Sequence, residues 1–197
     1  MEEIGMLYRI CKGILKPIFF LFYNIKVEGI ENLPSTGPMV ICANHTSAID
    51  PIILAISIPY RIYSMAKSEL FKNRFFGLFL KNIGVFPVKR GEADIKSIKT
   101  SLKLLKENKI MGIFPEGTRN KTGEIKAEPG VAMIAVRAQV PVLPVAIISN
   151  YKYFKRTVVK LGKPMMLDQY YEKKLQSEDY LNISLDIMRY INQISKG

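Results

Sequence analysis

Six short apolar runs, Pro38 to Ala43, Arg61 to Ala66, Gly84 to Val88, Ile110 to Phe114, Val142 to Ile148 and Thr157 to Leu161, recur along this chain. They are the length of strands rather than helices, and they suit strands covered on both faces. Between them the period becomes helical. Pro51 to Ile58 follows an Asp50-Pro51 start signal, an N-cap side chain with proline at the first helical position. Leu70 to Leu80 reads as a second helix. In Glu92 to Glu107, Ile95, Ile98, Leu102 and Leu105 point inward, while Lys96, Lys99, Lys103 and Lys106 point outward. Gly130 to Ala138, and a terminal stretch with Leu181, Leu185, Met188 and Ile191, complete the set. Strands alternating with helices predict an α/β fold: a single domain with a mainly parallel, mixed β-sheet flanked by helices. A length of 197 residues suits one such domain, and 48% apolar residues exclude a disordered chain.

Lys and Arg number 29 against 17 Asp and Glu, a formal charge of +12, so the expected partners are anionic: nucleic acid, phosphorylated substrates or acidic lipid. The N-terminal segment favours lipid. Its longest clean apolar stretch, Pro17 to Tyr23, is far below the roughly 20 residues a spanning helix needs. Glu2 and Glu3 replace the basic start of a signal peptide, and no small-residue cleavage site follows. Arg9, Lys12 and Lys16 share one helical face, and Leu7, Ile10, Ile14, Ile18 and Leu21 share another. This is the pattern of a helix lying in a membrane interface with its cations toward the headgroups; a helix packed on its own domain is the alternative. Residues 1–33 are therefore expected to form an N-terminal amphipathic membrane-associating segment, with the main domain in 34–197. A second aromatic and basic patch lies between Leu70 and Lys81, with Phe71, Phe75, Phe76 and Phe79 interleaved with Lys72 and Arg74. Its phenylalanines cluster without the alternation of a base-stacking strand, and no nucleic-acid-binding signature accompanies them, so no nucleic-acid partner is expected. Two cysteines, Cys11 and Cys42, are too few for a disulfide framework.

The single histidine, His45, lies in Asn44-His45-Thr46-Ser47-Ala48-Ile49-Asp50, between a strand and a helix. Histidine-dependent proton transfer near neutrality happens there or nowhere. A second block, Phe114-Pro115-Glu116-Gly117-Thr118-Arg119, follows a strand directly, where open α/β sheets place ligands. Gly117 permits a tight backbone path, and Arg119 offers a planar fork for phosphate. Gly84-Val85-Phe86-Pro87-Val88-Lys89-Arg90 ends in two cations, and Val140-Pro141-Val142-Leu143-Pro144-Val145 is a fourth block.

In this order the blocks resemble those of the glycerolipid acyltransferases, most of all the bacterial 1-acylglycerol-3-phosphate acyltransferases, over roughly residues 34–161. The resemblance implies an O-acyltransferase of phospholipid biosynthesis. A fatty acyl group would move from a thioester, acyl carrier protein or acyl-CoA, to the sn-2 hydroxyl of lysophosphatidic acid, giving phosphatidic acid. It implies a peripheral, monotopic enzyme on the anionic cytoplasmic face of the cell membrane. It also implies that His45 and Asp50 are catalytic, and that Lys67, Arg90, Glu116, Gly117, Thr118 and Arg119 bind substrate. Many relatives carry a lysine just before the glycine that opens the helix after the third block; here the stretch reads Ala127-Glu128-Pro129-Gly130, with Lys126 nearby. Other acceptors, such as glycerol 3-phosphate, and a non-catalytic basic binding module are the alternatives.

The residues suit that chemistry in their own right. An alcohol is a weak nucleophile, and a general base in reach of its proton contributes about a hundred- to ten-thousand-fold. A carboxylate on the other imidazole N–H fixes the tautomer and stabilises the imidazolium. Thr46 and Ser47 are conceivable nucleophiles, but direct attack by the bound hydroxyl needs no acyl-enzyme. Backbone N–H groups around the motif are candidate oxyanion donors. No metal or other cofactor is expected, because His45 has no ligand companions at metal spacing.

Overall fold

In a computed structural model describing residues 5–89, 94–120 and 122–196, one seven-stranded sheet organises the chain. The elements in order are α1 (Met6–Tyr23), β1 (Ile25–Glu28), β2 (Met39–Ala43), α2 (Asp50–Ser57), β3 (Ile62–Lys67), α3 (Arg74–Asn82), β4 (Val85–Val88), α4 (Ile95–Lys106), β5 (Ile110–Ile113), α5 (Gly130–Ala138), β6 (Val142–Ile148), β7 (Thr157–Leu161) and α6 (Ser177–Lys196). The strand order is β1-β7-β6-β2-β5-β3-β4, and every pairing is parallel except β6 with β7.

Burial explains why the strands read as continuous apolar runs. All five residues of β2 are buried, with Met39, Ile41 and Ala43 facing one core and Val40 and Cys42 the other. The first core lies under α1 and α2, and the second under α4, α5 and α6. Both faces of the sheet are covered, as parallel crossovers require.

Four expectations need correction. The boundary at residue 33 cuts through the fold, because Ile25–Glu28 forms β1 and pairs with Thr157–Lys160 of β7. The helix expected over Leu70 to Leu80 is a 3-10 turn, Ser68–Phe71, followed by α3; Asn73 separates them and caps α3 by accepting from the Phe76 N–H at 3.0 Å. In α4, Ile95 is exposed, whereas Ser97 and Ser101 are buried, and Ser101 donates its hydroxyl to the Ser97 carbonyl at 2.8 Å. Asp50 is not the N-cap of α2. It is the first residue of that helix, and the preceding Ile49 makes no side-chain cap bond.

The N-terminal helix is two-faced, but its cations do not all share the outer side. Leu7, Ile10, Ile14, Ile18 and Leu21 are exposed, as the spacing predicts. Tyr8 is buried, while Leu15, Phe19 and Tyr23 pack against the core under α2. Lys12 turns inward with them, donating to the Ile58 carbonyl at the end of α2 and to the Tyr60 carbonyl at 3.4 Å. A cation there satisfies carbonyls that a helix terminus leaves unpaired. Burial, with Lys16 adding, lowers its pKa to about 8. No helix among the described residues is long and apolar enough to cross a membrane.

Candidate active site

The parallel strands β2, β3, β4, β5 and β6 all end at one edge of the sheet, and the residues singled out by the sequence gather there. His45 follows β2, Lys67 closes β3, Glu116 to Arg119 follow β5, and Tyr151 follows β6. Arg90, two residues past β4, lies outside the described residues.

The histidine and aspartate meet. His45 Nδ1 lies 3.1 Å from Asp50 Oδ2, with the His45 side chain 10% exposed and that of Asp50 fully buried. The ring packs on Phe114, centroid to centroid 4.4 Å. With Nδ1 turned to Asp50, Nε2 is the nitrogen left to receive a proton.

Asp50 does more than face the ring. Its Oδ2 also accepts the N–H groups of Thr46 and Ser47, each at 2.7 Å. Its Oδ1 accepts from the Tyr151 hydroxyl at 2.5 Å, and the Tyr151 oxygen is 2.7 Å from the Thr46 hydroxyl.

The Glu116 block fastens the histidine from the other side. Glu116 Oε2 accepts the His45 N–H at 2.6 Å, and the Asn120 N–H donates to the His45 carbonyl at 2.7 Å. Asn120 Nδ2 bonds the second Glu116 oxygen at 3.2 Å. The peptide groups on both sides of the His45 Cα are thus held by one turn. Burial raises the Glu116 pKa, with the bonds from Asn120 and His45 opposing. Both carboxylate oxygens of Glu116 already have partners, and they belong to the protein. Gly117 supplies the backbone that the turn needs: its φ is 66°, and a Cβ there would sit 3.1 Å from Glu128 Cγ.

Thr118, Arg119 and Lys67 are exposed on this same edge. Lys126, by contrast, pairs with Glu124 at 2.6 Å on the surface. The N–H groups of His45, Thr46 and Ser47 are all engaged, so the oxyanion donors expected around the motif are not these three.

Three contributors escaped the sequence reading. Asn44 bonds both peptide groups of Ile147, donating to its carbonyl at 3.0 Å and accepting its N–H at 2.7 Å, which ties the motif to β6. Asn120 lies just beyond the Glu116 block. Tyr151 comes from a loop 101 positions after Asp50. Only Asn44 carried a local signal, its place beside His45.

A cavity of about 540 Å³ lies behind the His45 backbone, bounded by Asn44, Thr46, Glu116, Asn120 and Tyr151 and by the end of α6.

Comparison with known proteins agrees with this arrangement. The family model described as Acyltransferase matches residues 24–148. The chain is 41% identical over 165 residues to the 1-acyl-sn-glycerol-3-phosphate acyltransferase of Bacillus subtilis, covering 81% of this chain and 82% of that relative. It is 30% identical over 143 residues to the protein of the same name from Borreliella burgdorferi, covering 69% of this chain and 56% of that one. Among solved structures, the 1-acyl-sn-glycerophosphate (LPA) acyltransferase, PlsC, from Thermotoga maritima has the same fold, with a TM-score of 0.71 at 22% identity over 100% of this chain and 85% of that one.

Proposed function

Because this chain belongs to the acyltransferase family, we propose that it moves a fatty acyl group from a thioester to the sn-2 hydroxyl of 1-acylglycerol 3-phosphate, giving phosphatidic acid. The names of its relatives support the acceptor. The observation that carries the chemistry is the His45 to Asp50 pair at the ligand-binding edge of the sheet, with its ring held on both backbone sides.

Nε2 of His45 takes the hydroxyl proton as the oxygen attacks the thioester carbonyl. The new C–O bond forms, the C–S bond breaks, and the proton passes from the imidazolium to the departing sulfur. Asp50 stabilises the charged ring without taking its proton. The thioester is already activated, so the reaction needs no metal or organic cofactor. Lys67, Arg90 and Arg119 bind the phosphate, and the turn at Gly117 and Thr118 shapes its seat. Glu116 acts as a positioning residue for His45, since its oxygens are occupied and a carboxylate repels phosphate.

The acceptor is a lipid, and the surface suits delivery from a bilayer. The outer face of α1, with Ile10, Ile14, Ile18 and Leu21, and that of α3, with Phe75, Phe76, Leu78 and Phe79, are exposed. Lys72 and Arg74 flank the second patch, and a net charge of +12 favours anionic headgroups. We place the enzyme on the cytoplasmic face of the cell membrane, where acyl carrier protein or acyl-CoA supplies the donor.

The test is a matrix of donors, palmitoyl carrier protein and palmitoyl-CoA, against acceptors, lysophosphatidate and glycerol 3-phosphate, with the lipid product identified. Thiol release that requires lysophosphatidate, yields phosphatidate and disappears in His45→Ala is the expected result. Thiol release without an acceptor would make the enzyme a hydrolase and overturn this reading.

A further inference from the structure

Tyr151 stands three residues past the end of β6 with φ 57°, a left-handed backbone that a bulky side chain seldom adopts. The conformation is held locally. Its N–H donates to Ser149 Oγ at 3.0 Å, and that oxygen is 2.7 Å from Thr157 Oγ1 at the start of β7. The result is to aim a half-buried phenol at the one oxygen of Asp50 that neither the histidine nor the loop uses.

Building on the function proposed above, we propose that Tyr151 is a positioning residue for acyl transfer, its hydroxyl locking the Asp50 carboxylate so that Oδ2 faces His45. With the phenol donating to Asp50, its oxygen is left to accept from the Thr46 hydroxyl, so that two hydrogen bonds in series converge on the acid. Hydrogen bonds in such a series strengthen one another in a low-dielectric site. Burial and the adjoining Asp50 carboxylate keep the phenol protonated, as a donor must be. Among the described residues, Asp50, Tyr151 and Glu116 are the titratable groups tied to His45 and its acid, and Tyr151 is the one that bonds Oδ1.

Without the hydroxyl, Oδ1 of Asp50 loses its bond to Tyr151, and the carboxylate is held toward His45 by the two loop N–H groups alone.

His45 is the only histidine in the chain, so its ring-proton resonance is read without assignment. The experiment records the His45 ring resonances by NMR at one fixed pH in the wild type and in Tyr151→Phe, together with kcat, KM for lysophosphatidate and Tm. We expect the ring resonances to move in the variant, because the carboxylate bonded to Nδ1 is no longer held in one orientation. We expect kcat to fall about tenfold with KM held within about twofold, as for loss of an interaction made in the transition state. Unmoved His45 ring resonances overturn the proposal even if kcat falls, because that loss would then come from structure alone. The NMR comparison is independent of substrate, so a wild-type protein that fails to acylate lysophosphatidate refutes the functional reading and leaves this test intact.

Discussion

Replacing Asp50 by asparagine separates what its shape does from what its charge does. In the wild type four donors converge on the carboxylate: the N–H groups of Thr46 and Ser47, His45 Nδ1 and the Tyr151 hydroxyl. An asparagine oxygen in the place of Oδ2 keeps both backbone bonds and the ring. Its amide nitrogen then faces Tyr151, whose hydroxyl reverses, accepting from the amide and donating to Thr46. Every donor of the wild-type cluster keeps a partner, and one of the two amide N–H groups is the single buried donor left over. The two backbone bonds and the tyrosine bond lose their charge assistance, about 1 kcal/mol each, and relief from burying a charge offsets part of this. The net loss is about 1–2 kcal/mol, a Tm decrease of a few degrees for a domain of this size. The imidazolium, however, loses its counter-charge, and kcat should fall by about 10³ to 10⁴, or about 4–5.5 kcal/mol of barrier. Asp50→Ala is the control: it strands the backbone donors and should cost about 3–5 kcal/mol of stability. Thiol release from the acyl donor with lysophosphatidate gives kcat, and thermal denaturation gives Tm. A kcat for Asp50→Asn within tenfold of the wild type would refute the role of the charge, and a Tm as low as that of Asp50→Ala would refute the rearrangement at Tyr151.

Glu116→Gln and Arg119→Lys should fail in different ways: the first lowers kcat about tenfold with an unchanged lysophosphatidate KM, because it loosens the His45 backbone, and the second raises that KM several-fold with little effect on kcat. Initial-rate kinetics on the pair decides, and a raised KM in Glu116→Gln would place its carboxylate on the substrate. Lys12 has a pKa lowered to about 8 in the folded chain, so the unfolded chain binds more protons between there and the ordinary lysine value. Stability should therefore rise with pH across that window relative to Lys12→Met, and urea denaturation should show the wild type gaining on the variant between pH 7.5 and pH 10. Ile14→Asp, on the exposed face of α1, should abolish co-sedimentation with vesicles containing anionic lipid while Tm stays within about 2 °C, since surface substitutions change stability little; retained sedimentation would move the lipid contact elsewhere.

The sheet was legible because both its faces are buried. Six of the seven strands advertised themselves as short, mostly apolar runs, and β1 did not, because this edge strand of four residues, Ile-Lys-Val-Glu, buries only Ile25 and leaves Lys26 exposed. The split before α3 turned on Asn73, a cap whose function shows only when its side chain meets the Phe76 N–H. Ile95 was misplaced because spacing reports which residues share a face, and not how far the neighbouring elements extend to cover it. Lys12 was misread for a related reason. A cation on a helical stripe looks solvated until a second helix, α2, ends against it and offers its carbonyls.

At the catalytic motif the misreading of Asp50 as a cap explains the spacing itself. A carboxylate in the first turn of a helix is close to the chain that enters that turn, and here it reaches back to the N–H groups three and four residues before it. Once those two bonds form, the side chain five residues before is brought alongside the same oxygen, and that side chain is His45. The four intervening residues are therefore the length of one backbone loop closed on one carboxylate atom. The same oxygen that shapes the loop also sets the imidazole tautomer, so structure and chemistry cannot be selected separately at this position. What the local sequence could not contain is the restraint on the acid's other oxygen, because Tyr151 arrives from the end of β6, and the restraint on the His45 backbone, because Glu116 and Asn120 arrive from the end of β5. Local chemistry is written in contiguous residues; the contacts that make it rigid depend on strand order, which places β5 and β6 on either side of β2.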